Sequence, residues 1–145
     1  MKFLITAMVI LVSLNSMAAT ALLKSRLVVG FAPEEDRGVF TTTVLSNGLV
    51  EFENNKGKVT HVLKMSKVAV KNLVAQIEKL EVEPLMGEDT PQCMDAPSSE
   101  IYVVKANKEI LIKTVYNCRE KIMNAAYNLV NLMQSFNNIS DLVKY

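Results

Sequence analysis

Few side chains in this chain offer chemistry. His61 is the only histidine, and there are two cysteines, Cys93 and Cys118. A lone histidine serves as a general base only where an acid or a nucleophile meets it. It serves as a metal ligand here only if Cys93, Cys118 or Asp95 joins it from distant segments, and no pair of these has zinc-finger or zincin spacing. The strand alternation argued below sets His61 between Val50 and Leu63 on a core-facing side, the place of a packed histidine with one hydrogen bond. The acids Glu34-Glu35-Asp36 and Glu88-Asp89 cluster in loops, where carboxylates are ordinarily just solvated. A glycosidase-type carboxylate pair is not recognisable from spacing. The five glycines are scattered, with no phosphate loop and no Gly-x-Ser-x-Gly elbow. The sequence thus offers no catalytic residue, no cofactor-binding residue, no metal ligand and no cofactor, and it reads as a protein that is not an enzyme.

The compartment is written at the N-terminus. Met1-Lys2 is a short positive start, Phe3 to Leu14 is apolar apart from Thr6 and Ser13, and Ser16-Met17-Ala18 offers small residues to a signal peptidase. This is the pattern of a secretory signal, with cleavage at Ala18 or one step later at Ala19. An uncleaved anchor is the competing reading, but the run falls short of the roughly 20 residues that span a bilayer. Nothing later in the chain is long and apolar enough for a membrane helix, so no integral segment remains after removal of residues 1–18. Lys2 is the only charge in that segment, so the 16 basic residues fall to 15 against 15 acidic ones. A mature chain near neutrality implies no basic face for nucleic acid or anionic membrane. The localisation expected is exported, periplasmic or extracellular.

In an oxidising compartment Cys93 and Cys118 are expected to pair, and with two cysteines the connectivity is forced. If Asn107-Lys108 turns the hairpin of Ser99–Ala106 and Glu109–Tyr116, Cys118 falls opposite Pro97 and near Cys93. Closing this loop would stabilise the fold by roughly 3–4 kcal/mol. A redox pair or a metal site is the alternative, although neither cysteine sits in a Cys-x-x-Cys motif.

The elements follow from periodicity. Gly38–Leu45 is β-branched and alternating, Asn47-Gly48 is a hairpin turn, Leu49–Asn54 returns, Asn55-Lys56-Gly57 turns again, and Lys58–Lys64 is a third strand. A two-residue turn at Asn47-Gly48 pairs Leu45 with Val50, and the next turn pairs Phe52 with Val59. One face then carries Leu45, Val50, Phe52, Val59, His61 and Leu63. The other carries Thr42, Glu51, Glu53, Lys58 and Thr60, with Glu53 opposite Lys58. Ser66 caps a helix whose stripe is Val70, Leu73, Val74, Ile77 and Leu80. After the second hairpin a second helix is predicted over 119–136, with the stripe Ile122, Ala126, Leu129, Val130, Met133 and Phe136, broken by Asn137-Asn138. Arg26–Ala32 reads as an edge strand or a segment laid on the surface. In the second hairpin Ile101, Val103, Ile110 and Ile112 share one face, and Tyr102, Val104, Leu111 and Val115 share the other. That second apolar face is either covered by the N-terminal stretch or the tail, or it is an interaction surface.

The expected fold is therefore α+β, a two-layer domain on an antiparallel sheet of about five strands: three-stranded meander, helix, hairpin, helix. Residues 1–18 are the signal, 19–37 an N-terminal segment, 38–136 the domain and 137–145 a C-terminal tail. Phe52, Val59, Leu63, Leu73, Ile77, Leu129 and Met133 are expected in one core. The run from Thr43 to Phe52, then Gly57-Lys58-Val59, a helix starting at Ser66 and an Asp95-Ala96-Pro97 turn resembles small exported bacterial domains of unknown function over about residues 38–118. The resemblance brings no activity and no site residues.

The connection 83–98 is long for a compact domain, where most loops run about 4–6 residues. It carries Pro84, Leu85, Met86, Glu88, Asp89, Pro91 and Gln92 ahead of Cys93. Stiffened by its prolines, it is either a recognition loop or a plain crossing from helix to sheet. The function expected is an exported, non-enzymatic binding or envelope-associated protein with a protein partner not identified. The alternatives are an inhibitor of an extracellular enzyme acting through the 83–98 loop, or a small hydrolase with an unrecognised site. Asn138-Ile139-Ser140 matches a glycosylation acceptor, relevant only in a eukaryotic secretory pathway.

Overall fold

The computed structural model describes residues 19–29, 33–34, 37–83, 85, 98–116 and 119–143. The expected signal segment 1–18, the expected turn at Asp95-Ala96-Pro97, and Cys93 and Cys118 lie outside the described residues. The elements are β1 (Ala21–Val29), β2 (Gly38–Leu45), β3 (Leu49–Glu53), β4 (Val59–Lys64), α1 (Lys67–Lys79), β5 (Ser98–Lys105), β6 (Lys108–Tyr116), β7 (Arg119–Ile122) and α2 (Tyr127–Val143). The α+β class stands, but the sheet has seven strands rather than five, in the order β4-β3-β2-β1-β5-β6-β7. Every pairing in it is antiparallel.

The two extra strands correct the expected boundaries. The N-terminal segment is neither an edge strand nor a surface cover. Its β1 sits at the centre of the sheet, between β2 and β5, and joins the meander to the second hairpin. Arg119–Ile122 is the short strand β7, so helix α2 begins only after a 3-10 turn at Asn124–Ala126. Asn137-Asn138 does not break that helix, which runs on to Val143, so most of the expected tail is helical.

The first meander turn has three residues, Ser46-Asn47-Gly48, not two, and the second has the three expected, Asn55-Lys56-Gly57. Gly48 N donates to Leu45 O and Gly57 N to Asn54 O, and each glycine takes a positive φ after a tight turn. This is the hairpin connection that ends in a left-handed residue. The extra residue changes the register of the first hairpin by one. Val44 faces Val50 and Thr42 faces Phe52, so Val44 and not Leu45 points into the core, and Thr42 joins the inner face. The second turn pairs Phe52 with His61 and Val50 with Leu63. Glu53 meets Val59 rather than Lys58 across an irregularity next to Phe52. Val59 is accordingly exposed, against expectation, and Leu63 is only partly buried. The other five expected core residues are buried as read.

The second hairpin turns on Ala106-Asn107, both at positive φ, one residue earlier than expected. A bulge opposite Ile101 and Tyr102 leaves Ile112 without a partner and pairs Ile101 with Lys113. The extra residue reverses the alternation beyond it. Lys113 and Val115 therefore lie on the inner side with Ile101 and Ser99, and the outer face loses Val115.

Both helices pack on the inner face. Leu73, Ile77 and Leu80 from α1 and Leu129, Val130 and Met133 from α2 join Leu23, Val44, Val50, Phe52, Ile101, Val103 and Ile112 in one buried cluster. Ser66 caps α1 through its hydroxyl on Ala69 N, as its position predicts. At the other end of α1, Lys105 Nζ donates to the carbonyls of Glu78 and Leu80. A cation placed there satisfies orphan acceptors and complements the helix dipole. Asn137 Nδ2 donates to the buried hydroxyl of Ser25 at 2.9 Å and fixes α2 over the central strand. No helix among the described residues is long and apolar enough to cross a membrane.

Candidate functional site

The outer face of the sheet carries the densest polar cluster. Alternation along β1 sends Lys24 and Arg26 outward, opposite Tyr102 and Glu100 of β5. Glu109 of β6 reaches both cations, with Lys24 Nζ at 2.6 Å and Arg26 Nη2 at 2.8 Å. The Arg26 guanidinium lies over the Tyr102 ring, 4.9 Å from its centroid. The Tyr102 hydroxyl donates to Glu100 Oε2. Three adjacent strands thus hold two cations, two carboxylates and one phenol in a closed set of contacts. Among the described residues no helix or strand lies over this face.

The electrostatics follow from those contacts. Burial first, then the Glu100 carboxylate that accepts its hydrogen bond, push the Tyr102 hydroxyl up to about 12. The hydrogen bond from Lys24 holds the Glu109 carboxyl below its ordinary 4.5, aided by Arg26 and opposed by partial burial. Tyr102 therefore stays protonated and Glu109 ionised across the neutral range, and neither is poised to pass a proton there. The cluster is self-neutralised, which suits holding a surface in shape more than capturing a free ion.

The two shifts predict opposite ends of a stability profile. The lowered Glu109 stabilises the folded state above its unfolded value, and that contribution is lost as pH falls through the folded value. The raised Tyr102 stabilises below pH 10, lost as pH rises toward about 12. Urea unfolding across pH should show a shallower acid limb for Glu109→Gln. Ultraviolet titration should show that Tyr102→Phe removes a tyrosinate step near pH 12. An unchanged titration in Tyr102→Phe would contradict the geometry.

The residues singled out by sequence are not gathered here. His61 lies half-buried on the inner face of β4 with its ring 5.9 Å from that of Phe52, a packing position for which no side-chain hydrogen bond or ion pair is formed among the described residues. Ala19 lies two residues before the start of β1. Of the candidate loop, Leu85 is half-buried and donates its N–H to Leu111 O at the rim of β6. Pro84, Met86, Glu88, Asp89, Pro91 and Gln92 lie outside the described residues. Among the described residues no group of His, Cys, Asp and Glu could hold a metal. The sequence reading missed Lys24, Arg26, Glu100 and Glu109. Their types are unremarkable, and only the pairing of β1 with β5 brings them together. No known protein-family model matches the chain, and no curated protein or solved structure shows significant similarity to it.

Proposed function

We propose that this chain is an exported, periplasmic or secreted, non-enzymatic binding or envelope-associated protein that presents its sheet to a protein partner. The observation that carries this reading is the outer-face cluster. Burial and Glu100 keep the Tyr102 hydroxyl protonated and Lys24 and Arg26 keep Glu109 ionised, which suits a recognition surface better than a proton-transfer site. Export rests on the charged start, apolar run and small-residue exit of residues 1–18. A second reading is inhibition of an extracellular enzyme by the 83–98 loop. It is favoured by the loop's attachment at both ends, through the Leu85 bond to β6 and the Ser98 start of β5.

Two measurements test the proposal. N-terminal sequencing of the protein recovered from outside the cytoplasm should begin at Ala19 or the residue after it. An intact Met1 on the recovered protein would count against cleavage. A broad hydrolase substrate panel should give no turnover. Turnover abolished by one point substitution would replace this reading with that of a small hydrolase.

A further inference from the structure

Among the described residues strand β4 ends the sheet on one side, and one of its backbone edges has no neighbouring strand there. Which groups point outward follows from one bond. Met65 N donates to Gly48 O, which makes Gly48–Met65 a hydrogen-bonded pair of the antiparallel ladder. Alternation then turns the backbone groups of Leu63 toward Val50, and the N–H and C=O of Val62 and Lys64 away from the sheet. These open donors and acceptors are a template for another strand.

The side chains along that edge are unusual for this chain. From Asn54 to Ile77 there are five lysines, Lys56, Lys58, Lys64, Lys67 and Lys71, and no acid. All five are exposed, and among the described residues none forms an ion pair. Three exposed valines interleave with them: Val59 at 43%, Val62 at 47% and Val68 at 69%. Only Met65-Ser66 separates the end of β4 from the first turn of α1, so the strand edge and the helix start form one continuous basic margin.

Resting on the binding-protein reading, we propose that β4 and the start of α1 dock an extended, acidic segment of a partner polypeptide, added to β4 as an eighth strand. Main-chain bonds to Val62 and Lys64 would hold it, alternate side chains would rest on the valines, and its carboxylates would meet the lysines. A second copy paired β4 to β4 does not fit the edge, because it brings the same five lysines against them. Lysines alone are a common guard against edge pairing. Here Lys64 is turned back, its Nζ on Asn47 O at 2.6 Å, and the exposed valines supply apolar contact that a purely guarded edge lacks.

The test uses a fluorescent peptide of about eight residues alternating Val and Glu, long enough to span one strand. Anisotropy should show saturable binding to the purified protein, and amide shifts should centre on Val62 and Lys64. The pair Lys58→Glu and Lys64→Glu should weaken it by about tenfold or more. Val62→Pro removes an outward N–H that has no partner among the described residues, and it should weaken binding with circular dichroism unchanged. If that variant does not fold, the same peptide N-methylated at alternate residues replaces it and should bind poorly. Equal binding of the N-methylated peptide would overturn strand addition. Lysine-dependent binding to phosphatidylserine vesicles with none to the peptide would overturn it in favour of a lipid surface. No binding to either would leave the lysines as guards and overturn it too, while the binding-protein reading, which is tested by substrate turnover and N-terminal sequencing, would still stand.

Discussion

Phe52→Asp is expected to leave no folded domain at neutral pH, whereas Glu51→Lys, one residue away, should shift the urea midpoint little. Phe52 is 5% exposed and sits in the inner cluster with Leu73 and Val50 close by in the same core. Truncating a buried phenylalanine alone costs about 3–5 kcal/mol. Putting an unpaired carboxylate in its place adds the cost of burying a charge, and a small domain has only about 5–15 kcal/mol in total. Glu51 pairs with Thr43 and Val62 on the opposite face, where water solvates its charge. The companion pair tests the register of the first hairpin. Val44→Asp should behave like Phe52→Asp and Leu45→Asp should be much milder, because Val44 faces Val50 and is wholly buried. If Leu45→Asp were the disruptive one, the turn would have two residues and every side chain of β2 would change face.

That register shows where sequence reasoning reached and where it stopped. The stripe of α1, and that of α2 from Leu129 on, are legible because period and capping are local: Ser66, Leu73 and Ile77 declare α1 within a dozen residues, whereas Ile122 and Ala126 fall before α2. The inner face of β3, and of β4 at His61 and Leu63 though not at Val59, is legible for the same reason. The face of β2 is not, because a Ser-Asn-Gly connection and an Asn-Gly connection differ by one residue that composition does not reveal. Strand β1 was misplaced because its position depends on β5, whose partner residues lie some 70 to 80 positions away in sequence. Asn137 reads locally as a helix breaker, yet it serves α2 by bonding Ser25, 112 residues distant. The outer cluster and the basic margin were hidden alike. Their lysines, arginine and acids are visible in the sequence, but the strand order decides which of them meet and which stay unpaired.

Lys113 is the residue whose substitutions should separate most widely. The bulge at Ile112 turns it to the inner side, where its side chain is 6% exposed beside Ile101 and Ile122. Among the described residues its ionic partner is Glu120 of β7, with Nζ–Oε1 at 3.0 Å, and Glu120 is itself 51% exposed. An ammonium so placed has lost most of its water for one half-solvated carboxylate. Burial of this kind commonly offsets the Coulomb gain, so an apolar side chain of similar length is often as good or better. Lys113→Met should therefore leave stability unchanged or raise it. Glu120→Ala strands the buried cation and should cost about 1–2 kcal/mol, below the loss from a fully buried pair because water reaches one partner. Lys113→Glu sets two carboxylates together against Ile101 and Ile122, and it should cost several kcal/mol, enough to detach β7 or unfold the domain. Urea midpoints at neutral pH decide the order, and hydrogen exchange at the β7 amides shows whether the loss is local. A Lys113→Met protein less stable than Glu120→Ala would mean that the ion pair, and not the packing around it, holds the last strand to the sheet.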